Sequence, residues 1–262
     1  MSVALQNTAL GAILDKLGAL AIAVSGGVDS MTLATFAHRR APRLTRVIHA
    51  VSPAVPADAT RRVRALAAQE GWGLTVTGAG EFEDQRYRDN PADRCYFCKA
   101  NLYERVRSLT RHRIASGANL DDLGDYRPGL AAAAERDVVH PFVEAKMTKA
   151  AVRALARVLG LADIAELPAQ PCLASRVETG IAIDAGDLAF VGRVETELAA
   201  LAPKGATLRC RITHGGVVVE IGDDASAKRD VFADVVGAIC RAKGLRFAGI
   251  RPYRRGAMFV RG

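Results

Sequence analysis

The chain has 262 residues, half of them hydrophobic, and a formal net charge of +8 at pH 7. This length is enough for one large core, or for one domain with a smaller companion. No apolar stretch approaches the roughly 20 residues that span a bilayer, and the N-terminus lacks the layout of a signal peptide. We therefore expect a cytoplasmic protein without a membrane partner.

The positive charge predicts polyanionic partners, either nucleic acid or small phosphorylated substrates, while ordinary surface arginine explains most of these charges equally well. The chain contains five cysteines, an odd number for a disulfide framework. In a reducing compartment they are better interpreted as thiols, metal ligands or redox groups.

Short apolar runs alternate with helical patterns through the first part of the chain. The predicted strands are Ala21–Val24, Arg46–Val51, Leu74–Thr77, Arg113–Ser116 and Asp137–His140. The predicted helices are Thr8–Leu17, Ser30–Arg39, Ala57–Gln69, Tyr96–Thr110 and Lys149–Leu159. This alternation predicts an α/β fold with a doubly wound parallel sheet, whose ligands bind at the carboxyl ends of the strands.

The pattern changes at Pro168-Ala169-Gln170-Pro171, where two prolines interrupt helix and strand alike. We place the domain boundary here, with residues 1–168 in the first domain and 169–262 in a smaller α+β domain. The elements predicted for the second domain are a helix at Asp187–Leu201, a hairpin of Thr207–Thr213 and Val217–Ile221, a helix at Ala225–Lys243 and a strand at Leu245–Ile250.

The most informative motif follows the first predicted strand. It reads Ser25-Gly26-Gly27-Val28-Asp29-Ser30 and precedes a helix. Two glycines allow a tight turn whose N–H groups face an anion, and the helix directs its positive end to the same point. Ser25 and Ser30 add hydroxyls, and Asp29 either holds Mg²⁺ or orders the loop. The motif lacks the lysine of a Walker A sequence and resembles the PP-loop of ATP pyrophosphatases, which release pyrophosphate and leave AMP on the substrate.

A second cluster contains three cysteines. Cys95 and Cys98 form a CxxC motif at the start of a predicted helix, where the helix dipole and the flanking basic residues Arg94 and Lys99 favour thiolate. Cys172 follows 74 positions after Cys98. One CxxC alone serves zinc, iron–sulfur or redox roles; three cysteines can hold a four-iron cluster with one iron left open. Cys210 and Cys240 are predicted to be small buried residues.

Several motifs together resemble the LarE family of ATP-dependent sulfur transferases. They are Ser25–Ser30, Asn90–Lys99, Ser116–Asp122, Asp125–Gly129 and Pro171–Arg176. The resemblance covers about residues 10 to 255 and implies adenylation of the carboxylates of a pyridinium dicarboxylate mononucleotide, followed by conversion to thiocarboxylates for a nickel-pincer cofactor. It implies ATP with Mg²⁺, and ATP contacts from Ser25, Gly26, Gly27, Asp29, Ser30, Asn119 and Asp122. For Asn119 and Asp122, a simple turn and helix cap is an equally good interpretation.

The resemblance also bears on the source of sulfur. Family members that carry the CxxC resemble those with a 4Fe–4S cluster, so we expect Cys95, Cys98 and Cys172 to bind one. The alternative is that Cys172 donates its own sulfur and becomes dehydroalanine, with Glu195 or Glu197 as the base.

The substrate that the resemblance implies carries a phosphate, for which Arg176 and Arg254 are the first candidates; Arg209, Arg211 and Arg255 follow. The basic tail around Arg254 is alternatively solvated surface. The chain reads Ala257 where the family more often has a small polar residue, which leaves the contacts of the tail open. We expect a homo-oligomer.

Other functions remain open. A PP-loop enzyme of tRNA thiolation uses similar motifs, but the chain has few aromatic residues for stacking bases, 5% in all, and no added RNA-binding domain, so we expect no nucleic-acid partner. A nucleotide-binding or iron–sulfur regulator without activity, and an amide-forming ligase, are further alternatives.

Overall fold

A computed structural model describes residues 3–124 and 128–254 of the chain. It divides the chain into two compact units. The first contains the residues up to Asp84 together with Asp93–Gln170, and the second contains Gln85–Ala92 together with the residues from Pro171 onward. The short segment Gln85–Ala92 therefore groups with a part of the chain that lies far from it in sequence.

The strands of the described residues form two sheets, one in each unit. They are β1 (Leu20–Val24), β2 (Thr45–Val51), β3 (Leu74–Gly78), β4 (Arg113–Ala115), β5 (Leu208–Thr213), β6 (Gly216–Ile221) and β7 (Phe247–Pro252). The first sheet has the order β3-β2-β1-β4 with every pair parallel, which confirms the predicted α/β fold. Because all four strands run the same way, their carboxyl ends share one edge.

The α-helices of the described residues surround these sheets. They are α1 (Val3–Leu17), α2 (Val28–Arg40), α3 (Ala57–Glu70), α4 (Gln85–Arg88), α5 (Arg94–Leu109), α6 (Pro128–Ala134), α7 (Pro141–Glu144), α8 (Lys149–Val158), α9 (Ala162–Ala165), α10 (Ala185–Leu201) and α11 (Arg229–Ala242). None of these helices has both the length and the apolar character needed to cross a bilayer.

Both faces of the first sheet are buried, as expected for parallel strands covered by helices. Ile22 and Val47 belong to the larger apolar cluster, which includes residues of α1, α2 and α8. Ala21 and Ile48, one position along each strand, belong to a second cluster with Tyr103 of α5. This alternation follows from the two-residue period of a strand and explains why apolar residues stand at consecutive positions in β1 and in the middle of β2.

The second unit has a mixed sheet. β5 and β6 form the predicted antiparallel hairpin, with Leu208 opposite Ile221 and Thr213 opposite Gly216. β7 adds parallel to β6. Helix α10 packs on β5 and helix α11 on β7. Gly216 has φ of +116°, and a Cβ atom there would lie 2.6 Å from the carbonyl oxygen of Arg246, so glycine is required at this turn.

Several predicted elements differ from the structure. The helix predicted at Thr8–Leu17 begins earlier, at Val3. The strand predicted at Asp137–His140 is reduced to one parallel bridge between Val139 and Ala115, because β4 is itself only three residues long. The helix predicted from Ala225 begins at Arg229, since residues Asp223–Lys228 form a 3-10 turn first.

Candidate functional site

The turn Ser25–Ser30 joins the end of β1 to helix α2 at the carboxyl edge of the sheet. Gly26 has φ of +83°, and a Cβ atom there would lie 2.8 Å from the carbonyl oxygen of Ala59, so only glycine fits. The hydroxyl of Ser30 accepts a hydrogen bond from the Ser25 N–H at 3.1 Å, and the two serine hydroxyls lie 3.3 Å apart. The turn therefore presents hydroxyls and backbone N–H groups at the N-terminus of a 13-residue helix, a suitable place for phosphate oxygens.

A second loop approaches this turn from the end of β4. A Cβ atom on Gly117 would lie 2.7 Å from the Ser30 backbone nitrogen and 2.8 Å from the carbonyl carbon of Asp29. These neighbours are backbone atoms at the start of α2 and have little freedom to move. The close approach positions the segment after Gly117, which contains Asn119, beside the turn.

Asp29 is the centre of a small polar network. Its carboxylate accepts a hydrogen bond from Asn119 Nδ2 at 3.2 Å and forms an ion pair with Lys149 Nζ. Lys149 is the first residue of α8, and its backbone N–H donates to Asp121 at 2.9 Å. Asp29 therefore orders the turn by joining it to two other segments, the second of the two roles predicted for it.

Lys149 was not among the residues predicted for the site. In the sequence it is only the first residue of the helix predicted at Lys149–Leu159, which in the structure is capped by Thr148, whose hydroxyl accepts a hydrogen bond from the Ala151 N–H. The signal that was available is its position, since a lysine in the first turn of a helix opposes the helix dipole and needs another reason to be there.

The segment after β4 holds itself together with side chain to backbone hydrogen bonds. Asp122 Oδ2 accepts from the Asn119 N–H at 3.1 Å, and Asn119 Oδ1 accepts from the Asp121 N–H at 3.0 Å. Asn119 is 1% exposed. Asp122 thus has the turn-forming contacts of the simpler interpretation, and Asn119 has both those contacts and the link to Asp29.

Two further residues support the turn. Arg62 of α3 donates from Nε to the Gly26 carbonyl at 2.9 Å, and burial lowers the pKa of its guanidinium. His49 of β2 is fully buried, with Nδ1 2.8 Å from the Val24 carbonyl and Nε2 2.9 Å from the Thr60 hydroxyl. Burial lowers the pKa of His49, and Arg64 adds to the effect. Neither residue was predicted, because neither belongs to a recognisable motif.

All five cysteines lie among the described residues and none is in a disulfide. Cys95 and Cys98 occupy the first turns of α5 in the first unit and are partly buried. Cys172 lies in the second unit, is exposed, and precedes a 3-10 turn at Leu173–Arg176. Within residues 3–124 and 128–254, no three Cys, His, Asp or Glu side chains are grouped as a metal-binding set.

Cys210 and Cys240 are both fully buried, as predicted. Burial raises the pKa of each thiol, and for Cys210 the negative charge of Glu195 adds to the effect. Both therefore stay protonated at neutral pH and are unsuited to nucleophilic chemistry.

Arg176 braces the loop that carries Cys172. Its guanidinium forms a two-point ion pair with Glu195, at 2.9 and 3.0 Å. Its Nη1 donates to the carbonyl oxygens of Pro171 at 2.9 Å and Cys172 at 3.3 Å. Arg176 is 4% exposed, and these bonds use most of its donors. Glu195 in turn accepts from the Cys210 N–H, so its carboxylate is committed to structural contacts.

A second buried ion pair lies in the sheet of the same unit. Arg211 donates twice to Glu220 Oε2, at 2.8 and 2.6 Å, and once to the Ser175 carbonyl. Glu220 is completely buried and also accepts from Arg251 at 2.9 Å. One carboxylate is therefore shared by two guanidinium groups.

Arg209 lies beside this pair. Burial lowers the pKa of Arg209, and the positive charge of Arg176 lowers it further. Arg209 and Arg211 both lie over the ring of Tyr253, at 5.9 and 6.0 Å from its centroid.

The other predicted residues are not brought into these clusters. Arg254 is exposed at the end of the described chain. Glu197 is on the exposed side of α10 and pairs with Arg193 at 2.8 Å. Arg255 and Ala257 lie outside the described residues, as do the first three residues of the motif Asp125–Gly129.

Comparison with known proteins shows which proteins this chain is similar to. The all-parallel sheet with a glycine-containing turn after β1 is consistent with an α/β domain of the PP-loop type. No protein-family model matches the chain. It is 38% identical to the Synechocystis protein slr1717 over 181 residues, which cover 68% of this chain and 67% of the relative. The chain therefore belongs to the same family as slr1717.

Two further relatives extend this match. The chain is 33% identical to the Methanocaldococcus jannaschii protein MJ0830 over 144 residues, covering 52% of this chain and 54% of the relative. It is 27% identical to the pyridinium-3,5-bisthiocarboxylic acid mononucleotide synthase of Lactiplantibacillus plantarum over 265 residues, covering 98% and 95%. This distant homologue matches over the full length and supports assignment to the LarE family.

Proposed function

We propose that the protein is an ATP-dependent sulfur transferase that converts the carboxylates of pyridinium-3,5-biscarboxylic acid mononucleotide to thiocarboxylates. The observation that carries this function is the Ser25–Ser30 turn at the carboxyl edge of a parallel sheet, in a chain that matches the synthase over almost its whole length. The turn supports nucleotide chemistry, and the name of the relative supports the substrate.

In the proposed function, the turn supports the first half of the reaction, which is adenylation of the carboxylate. A carboxylate is a poor electrophile, so one of its oxygens attacks the α-phosphorus of ATP and pyrophosphate leaves. The N–H groups of the turn and the N-terminus of α2 stabilise the charge that develops on this leaving group. Ser25 and Ser30 add hydroxyl donors. The product is an acyl adenylate, which has AMP as a good leaving group for the second half.

Lys149 contributes a positive charge beside the turn. In the structure it forms an ion pair with Asp29. When the phosphates of ATP bind, Lys149 can exchange this carboxylate for a phosphate oxygen. The oxygen donors of the site fit Mg²⁺, which prefers carboxylate and phosphate oxygens. Asp29 would hold it together with the phosphates of ATP. When bound, Mg²⁺ neutralises charge on the departing pyrophosphate.

We further propose that Cys95, Cys98 and Cys172 bind a 4Fe–4S cluster. The donor chemistry fits, since all three are reduced thiols and thiolates are the usual ligands of such clusters. Cys95 and Cys98 are three positions apart on one helix, so both sulfurs lie on the same side of it. When bound, the cluster supplies a sulfide for the acyl adenylate.

The second unit fits the phosphate of the substrate. It brings together four guanidinium groups, three of them in ion pairs, and two carboxylates, which leaves an excess of two positive charges. The groups are Arg176, Arg209, Arg211 and Arg251 with Glu195 and Glu220. A phosphate monoester carries a charge of about −1.5 to −2 at pH 7, which matches this excess. Arg209 lies beside Arg176 and Arg211, and a bound phosphate would offset the repulsion of these positive charges, so Arg209 is the first of the four to test.

Sacrifice of Cys172 is the second candidate, and its exposure favours it. The Cys172 thiolate attacks the acyl carbon and AMP leaves. Loss of the Cα proton then breaks the Cβ–Sγ bond, which gives a thiocarboxylate and dehydroalanine. The contacts of Glu195 with Arg176 and Cys210 make it a poor base for this step.

Anaerobic purification with iron and sulfide analysis, followed by turnover with ATP and mass spectrometry of the chain, separates the two sulfur sources. About four irons per chain with an intact Cys172 is the expected result. A chain without iron that has lost one sulfur at Cys172 would instead establish sacrifice.

Variants extend this test. Cys95→Ala should lose iron and repeated turnover while it keeps pyrophosphate release, and Cys240→Ala is the matched control. If the substrate elicits no pyrophosphate release from the unaltered chain, the proposed function is wrong. Binding of tRNA that falls steeply with salt, together with thiolation of the tRNA, would favour the RNA enzyme.

A further inference from the structure

A cluster of positive charge lies at the opposite edge of the first sheet from the Ser25–Ser30 turn. Residues 105–113 read Arg-Val-Arg-Ser-Leu-Thr-Arg-His-Arg and contain no acidic residue. Arg113 begins β4, opposite Leu20 at the start of β1, and Arg46 is the second residue of β2. We call Arg46, Arg105, Arg107, Arg111 and Arg113 the basic edge.

The members of the basic edge differ from several other arginines of the first unit, which are paired with carboxylates. Arg39, Arg40 and Arg136 each form an ion pair, with Glu70, Asp15 and Glu104 respectively. Within the described residues, no member of the basic edge forms one. Arg46, Arg107 and Arg111 line one depression, so an anion bound there would be attracted by three positive charges at once.

The basic edge also has the shape of a binding site. Arg46 and residues 107–112 line a depression of about 460 Å³. This volume lies within the range of small-molecule sites, roughly 300–1,000 Å³. The side chains of Ser108 and Thr110 bring hydroxyls to its wall, each already in a local hydrogen bond. His112 Nδ1 is buried there without a hydrogen-bond partner among the described residues.

The chemistry of this wall selects the ligand. Guanidinium groups bind phosphate oxygens in a two-point geometry, and several of them favour an anion with more than one phosphate. Residues 105–113 include no Phe, Tyr or Trp on which a base could stack, so a base is not what the depression recognises. The depression is shallow, and its volume of about 460 Å³ is enough for a small phosphorylated molecule.

We propose that the depression is a second anion site, which binds a small oligophosphate such as an inorganic polyphosphate or the phosphate chain of a nucleotide. It is distinct from the turn after β1, because the four residue steps of β1 separate the two edges by about 13 Å. The site therefore does not depend on the proposed function, and its occupant can act on the enzyme without entering the reaction.

Titration calorimetry of the full chain with inorganic tripolyphosphate, at fixed ionic strength, tests this site. A Ser25→Ala/Ser30→Ala variant first weakens tripolyphosphate binding at the turn. The heat of binding that remains then measures binding at the depression. In that background, Arg46→Gln/Arg111→Gln should weaken binding at least tenfold. Both arginines are exposed, so the fold should be retained, which thermal melting checks.

The matched control is Arg61→Gln/Arg193→Gln, which removes the same charge from exposed positions elsewhere and should change the affinity less than twofold. Equal affinities for the two double variants would overturn the site, as would loss of all binding in the serine variant alone. Weaker tRNA binding with unchanged tripolyphosphate binding would make the basic edge a nucleic-acid surface instead. Pyrophosphate release in the Arg46→Gln/Arg111→Gln variant should match that of the unaltered chain.

Discussion

The turn after β1 and the arginine cluster of the second unit handle charge in opposite ways. The turn offers backbone N–H groups and two serine hydroxyls, with one ion pair, Asp29–Lys149, beside it. The arginine cluster offers guanidinium groups held by two carboxylates, of which Glu220 is completely buried and Glu195 partly buried.

This difference suits two kinds of phosphate. A leaving group needs stabilisation where charge develops during the reaction, and oriented backbone dipoles provide it without any reorganisation. A phosphate that only anchors a substrate needs a fixed positive charge, which arginine provides and glutamate holds in place. Substitutions can test whether the two regions differ in this way.

The largest effect on stability is expected from Glu220→Gln. The glutamine keeps the size of the side chain but leaves Arg211 and Arg251 without their shared carboxylate. Removal of one partner from a buried pair costs about 3–5 kcal/mol. Chemical unfolding should show this loss for the second unit, while ATP binding at the turn is retained. The exposed pair gives the control, since Glu197→Gln should cost less than about 1 kcal/mol.

Gly117→Ala should have the next largest effect, at the turn. The new Cβ would meet backbone atoms of Ser30 and Asp29 below 3 Å, so the start of α2 must shift. Overpacking of this kind costs about 1–3 kcal/mol, and pyrophosphate release should fall about 100-fold because the N–H groups lose their alignment. Gly73→Ala is the control, since a Cβ there meets no atom within 4 Å. Activity in the Gly117 variant equal to that of the control would show that the turn needs no such alignment.

The sequence predicted the parallel sheet and the hairpin well, because both rest on local patterns. Apolar strands such as Ala21–Val24 and the His214-Gly215-Gly216 turn carry their own signals. The contact of Lys149 with Asp29 could not be predicted in this way, since 120 residues separate them and only the fold brings them together.

The contacts of the arginines in the second unit could not be predicted from the sequence either. Arg176 was a leading candidate for the phosphate, yet its donors face Glu195 and the backbone of the Cys172 loop. A single sequence does not reveal which arginines face a carboxylate, because that depends on the packing of α10 against β5. Phosphate binding by Arg176 stays a prediction. We propose Arg209 as the first residue whose substitution should be tested for a loss of phosphate binding.

Lys149→Gln tests the charged group beside the turn. The side chain is 37% exposed and its ion pair is therefore expected to contribute little to stability, less than about 1 kcal/mol. If Lys149 moves onto the phosphates, pyrophosphate release should fall about tenfold, or about 1.4 kcal/mol in activation free energy. Lys149→Arg, which keeps the charge, should recover part of the rate. Unchanged release in the glutamine variant would restrict Lys149 to ordering the loop.

The smallest effect is expected from pH, through His49 of β2, which contacts the last residue of β1. The folded chain holds His49 with a lowered pKa, because the ring is buried between the Val24 carbonyl and the Thr60 hydroxyl and Arg64 disfavours a second positive charge. The unfolded chain, in which histidine titrates near 6.5, then binds more protons below that pH. The contribution that neutral, buried His49 makes to the free energy of unfolding is complete above about pH 6.5, and it is lost as the pH falls toward the lower pKa of the folded state. His140, whose pKa is also lowered by burial, adds to this dependence.

Unfolding measured at pH 7.5 and 5.5 should therefore show a smaller loss of stability for His49→Gln than for the unaltered chain. An equal loss in both would mean that His49 titrates normally and that the end of β1 is open to water.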